Sequence, residues 1–123
     1  MKLKSILGIL FVGILFCTVS CEYETIVPVE VDLGDEDVLF STQVVPIFDE
    51  AACTGCHKGS TDPDLRAENA YSSLTSGGYV NLDDPASSEI VTKIEEGHAT
   101  SGNLSATQKA LLLKWIEQGA KDN

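Results

Sequence analysis

Basic side chains are scarce in this sequence: 8 Lys and Arg stand against 19 Asp and Glu in 123 residues, and no two of the eight are adjacent. A phosphate backbone is held by clustered Lys and Arg, so this shortage excludes a nucleic-acid surface. Long apolar runs are missing as well. The longest covers residues 6–16, which as a helix rises about 16 Å, roughly half of a ~30 Å hydrocarbon core. Carrying it to Val19 makes fourteen residues, still short of a span, and no stop-transfer pattern follows. Methionine occurs only as Met1, and histidine only as His57 and His98. Alternating strand patterns, internal repeats and low-complexity tracts are nearly or wholly absent. The length holds one compact domain and a short leader, and excludes two full domains.

What is present begins with that leader. Lys2 and Lys4 precede the apolar run, which ends in Thr18-Val19-Ser20-Cys21. These four residues resemble the bacterial lipobox, in which small residues at a cleavage site stand directly before a cysteine that becomes the lipidated N-terminus. Cys17 is the poorer choice because bulky Phe16 precedes it. The expectation is a lipoprotein signal peptide over 1–20 and a lipid on Cys21, with plain secretion and a leftover thiol as the alternative. Either places the mature chain outside the bacterial cytoplasm, where disulfides are allowed. The leader holds two Lys and no acid, so the 103 residues after it carry 6 basic and 19 acidic side chains, a formal charge of −13.

Residues 21–39 are acid-rich, with Pro28, Gly34 and the cluster Asp35-Glu36-Asp37. This reads as an acidic membrane tether with room for one short edge strand. From residue 40 helical signals dominate. Ser41 is a candidate cap for a helix over 41–52, Asp64 for one over 65–74 that Gly77-Gly78 stops, and Ser87 or Ser88 for one ending at Glu96. The last helix is the clearest. Ser105-Ala106-Thr107-Gln108 forms a capping box, Leu111, Leu112, Trp115 and Ile116 make a stripe at helical spacing, and Gly119 closes it. The expected fold of 40–123 is therefore all-α, with three to four short helices. Its only aromatics are Phe40, Phe48, Tyr71, Tyr79 and Trp115, and cores of this size usually need a metal, disulfides or a cofactor as a staple.

Cys53-Thr54-Gly55-Cys56-His57 is the CxxCH signature of covalent c-type haem attachment. Two thiols about one helical turn apart can each add to a vinyl group along one porphyrin edge, while the next imidazole swings under the iron. Three other readings compete. A thioredoxin-like redox pair expects a βαβ context. A structural zinc site from Cys53, Cys56 and His98 lacks a second spaced ligand pair. A plain Cys53–Cys56 disulfide remains open.

Val45-Pro46-Ile47-Phe48 leading into the CxxCH motif, together with Leu104-Ser105 and the ending Trp115-Ile116-Glu117-Gln118-Gly119-Ala120, resembles the small monohaem c-type cytochrome domains of bacterial lipoproteins, with Planctomycete-type and Bacteroidetes relatives. The resemblance covers roughly 43–121. It implies a class I cytochrome c-like fold, one haem c held by Cys53 and Cys56, and His57 as proximal iron ligand. Where many relatives carry Met-Pro-Pro between the last two helices, this chain reads Gly97-His98-Ala99-Thr100-Ser101-Gly102-Asn103. With no methionine in the mature chain, His98 is the candidate distal ligand. The plainer alternative is a surface histidine welcome near a helix C-terminus. The function implied is electron transfer outside the cytoplasm to a redox partner with a basic docking face, without enzymatic turnover. A haem-based gas sensor or weak peroxidase is the alternative should the sixth position be open.

Overall fold

The computed structural model describes residues 31–123. The signal peptide, Cys21 and most of the tether therefore lie outside the described residues. Among those described, the fold is all-α: α1 Val45–Glu50, α2 Ala70–Ser76, α3 Glu89–Glu95 and α4 Ala106–Glu117, with no strand. A π-helical turn, Phe40–Val44, runs directly into α1, and 3-10 turns occur at Cys53–Gly55, Pro85–Ser87 and Ala99–Asn103. No described helix is long and apolar enough to cross a membrane.

Apolar periodicity explains how the helices pack. Leu112, Trp115 and Ile116 share one face of α4 and are buried, as are Val44 and Phe48 from the first helical stretch. Phe40 lies 4.7 Å from the Trp115 ring and 5.5 Å, edge-on, from Tyr71, arrangements favoured by the aromatic quadrupole. Trp115 satisfies its indole by donating to the Lys121 carbonyl at 2.9 Å. A second, smaller cluster of Ile47, Ala51 and Leu104 has Cys53, Ile94 and Leu111 packed against it.

The candidate caps meet different fates. Ser105 accepts from the Gln108 N–H while the Gln108 side chain accepts from the Ser105 N–H, a complete capping box. Pro46 sits in the first turn of α1, directly after the π-helical turn. Ser41 caps no helix; the helical stretch opens at Phe40, and the Ser41 N–H goes to the Asn123 carbonyl at 2.9 Å. Asp64 starts no helix either; its carboxylate is held by Arg66 and Asn69, and α2 opens six residues later. Ser88 stands at the start of α3, but its buried hydroxyl accepts the Asn81 N–H at 2.9 Å instead of an N–H of α3.

The described end of the acidic segment is docked on the last helix. The Val38 N–H donates to Gln118 Oε1 at 2.7 Å, the Phe40 N–H to Asn123 Oδ1 at 2.8 Å, and Lys121 pairs with Asp37 at 2.9 Å. Lys114 donates to the Leu33 and Gly34 carbonyls. No strand forms over 31–39; side-chain amides of the C-terminal end satisfy this backbone in place of a neighbouring strand.

Candidate functional site

Ala52 leaves α1 in the left-handed conformation, φ 60°, and turns the chain into the Cys53–Gly55 turn. The turn is closed by the Cys56 and His57 N–H groups, both donating to the Cys53 carbonyl at 3.2 and 3.0 Å. Cys53, Cys56 and His57 thereby come to line one cavity of about 370 Å³, within the size range of cofactor sites. Its wall is predominantly apolar, built from Phe48, Leu65, Tyr79, Ile90, Ile94 and Leu104, and the 98–101 loop completes it.

The His57 ring nitrogen Nδ1 lies 3.0 Å from the Pro63 carbonyl oxygen. A carbonyl only accepts, so Nδ1 is the donor here, which leaves Nε2 as the ring nitrogen turned to other partners. His98 stands across from it, ring centres 6.0 Å apart and planes at 59°. Two imidazoles on opposite sides of one metal ion, with bonds of about 2 Å, would place their ring centres roughly 6 Å apart. The observed spacing leaves room for one ion between the two rings. His98 is exposed, and its N–H is fixed by the Lys93 carbonyl at 3.0 Å.

Both thiols are free, Cys53 half-buried and Cys56 exposed. Burial pushes the Cys53 thiol up from its ordinary pKa, opposed by the Thr100 hydroxyl, whose oxygen lies 4.0 Å from the sulfur. Among the described residues no three His, Cys, Asp or Glu side chains gather to hold a metal ion. Two thiols and two imidazoles thus line one apolar cavity, a donor set that a covalently held haem could use.

Three contributors carried no signal of their own in the sequence. Pro63 and Thr100 act through a backbone carbonyl and a lone hydroxyl. Asp64, expected as a cap, instead anchors the loop after His57: Arg66 grips it by Nε at 3.0 Å and Nη2 at 2.6 Å, and Asn69 Nδ2 donates at 2.8 Å. The Arg66 hydrogen bond, together with the Arg66 and Asn69 N–H donors, outweighs desolvation and holds the Asp64 carboxyl far below its ordinary value.

No family model matches this chain, and neither a curated protein nor a solved structure does.

Proposed function

From a paired-imidazole cavity with a CxxCH turn on its wall, we propose that the chain is a monohaem c-type cytochrome that carries single electrons outside the bacterial cytoplasm, tethered to a membrane through a lipid on Cys21. The observation that carries this reading is the 6.0 Å separation of the His57 and His98 rings on an apolar cavity that Cys53 and Cys56 also line. Bound haem would supply a ferric–ferrous couple. Cys53 and Cys56 would hold it by thioethers, His57 would give Nε2 from the proximal side, and His98 would close the distal side. Were His57 and His98 both to bind the iron, no site would be left for peroxide or oxygen, which favours a carrier over a sensor or peroxidase. The partner is a redox protein with a basic face, complementary to the acidic chain.

The test uses protein matured with a haem-attachment system. Its colour should survive acidic organic extraction of the denatured chain. Colour that extracts, or covalent haem persisting in the Cys53→Ala/Cys56→Ala double variant, refutes the assignment. Electron paramagnetic resonance of ferric wild type should show a low-spin centre that turns high spin in His98→Ala, and only the variant should bind carbon monoxide when reduced. Wild type binding carbon monoxide as readily as the variant would put the sensor or peroxidase reading first. Mass spectrometry of the N-terminal peptide checks Cys21: a free thiol there replaces the anchored protein with a secreted one.

A further inference from the structure

The Pro63 carbonyl that orients His57 belongs to a peptide plane held from its other edge. Peptide units are planar, so the direction of the Pro63 C=O and that of the Asp64 N–H are one variable. The C=O takes the His57 Nδ1 proton at 3.0 Å, and the N–H donates to Ser73 Oγ at 2.8 Å. Ser73 lies in α2, four residues after Asn69, on the same helix face. Asn69 grips the Asp64 carboxylate at 2.8 Å while Ser73 grips its N–H. The following Leu65 N–H returns to the His57 carbonyl at 2.9 Å. One turn of α2 thus fixes the residue that aims the carbonyl at His57.

We propose that Ser73, assisted by Asn69, is a positioning residue for His57: by holding Asp64 it aims and polarises the Pro63 carbonyl, and so sets the ring's orientation and its strength as an electron donor. The consequence for an iron rests on the haem reading above. Hydrogen bonds in series strengthen one another. A stronger acceptor on Nδ1 raises ligand basicity at Nε2, which favours ferric iron and lowers the reduction potential.

The experiment compares full-length, haem-loaded wild type with Ser73→Ala and Ser73→Thr. Two readouts are the solvent exchange of the His57 Nδ1 proton, followed by proton NMR of the ferric state, and the reduction potential. In Ser73→Ala the proton should exchange at least about threefold faster, the loss of one modest hydrogen bond, and the potential should rise. Ser73→Thr keeps a hydroxyl and should return both toward wild type. Exchange and potential unchanged in Ser73→Ala overturn the proposal, as does Ser73→Thr behaving like Ser73→Ala. Should Ser73→Ala not fold, Asn69→Ala must move both readouts in the same directions, and unchanged values there overturn it equally. A wild-type chain without covalent haem overturns the haem reading and this proposal with it, whereas coloured protein with unmoved readouts overturns this proposal alone.

Discussion

Ala52 holds φ 60° immediately before Cys53, a conformation that costs an L-residue with a Cβ roughly 1–2 kcal/mol. That strain turns the cysteines toward the cavity. Ala52→Gly should raise the urea midpoint by the equivalent of about 0.5–1 kcal/mol, part of the relief being offset by the entropy glycine loses on folding; a lowered midpoint would contradict this. Asp64 makes a pH-dependent contribution whose sign follows from its depressed folded-state pKa. Its stabilisation is fully present above the ordinary value of 3.8 and is lost as pH falls toward the lower folded value. The stability gap between wild type and Asp64→Asn, measured by denaturant unfolding, should be largest near neutrality and narrow below about pH 4. A gap that widens on acidification would mean that the Arg66 and Asn69 contacts do not govern this carboxyl.

At the scale of elements, three serines with similar local patterns do different things. Ser105 completes a capping box at α4, and Gln108 extends it by donating to Glu50 Oε2 at 2.8 Å, tying α4 to α1. Ser105→Ala should cost about 1 kcal/mol. Ser41→Ala should fall within about 0.5 kcal/mol of wild type, because that exposed side chain caps no helix. Ser88→Ala removes the buried hydroxyl that accepts the Asn81 N–H in a partly buried bond and should cost about 1–3 kcal/mol. Chemical unfolding of the three variants checks the order Ser88, Ser105, Ser41. Equal losses at Ser41 and Ser88 would refute the assignment of their hydroxyls.

For the whole molecule, the two ends of the described chain are joined to each other. Gln118 and Asn123 supply acceptors to Val38 and Phe40, and Val38 is buried. A chain beginning at residue 40 should be less stable than one beginning at 31 by at least about 1.5 kcal/mol, the value of burying one such aliphatic side chain. Equal stability would show the docked segment to be energetically idle. None of Gln118, Lys121 and Asn123 lines the cavity, so the segment leading back toward Cys21 is held by residues separate from those of the proposed haem site. The charge of −13 after residue 20 acts over the same scale. Association with a basic redox partner should slow as salt shortens the ~10 Å screening length of 0.1 M solution, and an on-rate flat between low and moderate ionic strength would argue against steering.

Local pattern alone determined the all-α class and the last helix with its apolar stripe, capping box and closing Gly119, and it singled out the Cys53-Thr54-Gly55-Cys56-His57 motif. These depend on residues within a few positions of one another, where periodicity and spacing are direct consequences of helix geometry. Only the tertiary structure decided what faces what. It brought His98 to 6.0 Å from His57, gave the Ser41 N–H to the far end of the chain, Asp64 to Arg66 and Ser88 to Asn81, and laid the end of the acidic segment against α4. A cap is a competition among acceptors for one N–H, and sequence reveals only the local competitors. The distant ones, like the second imidazole, enter when packing brings them within hydrogen-bonding reach.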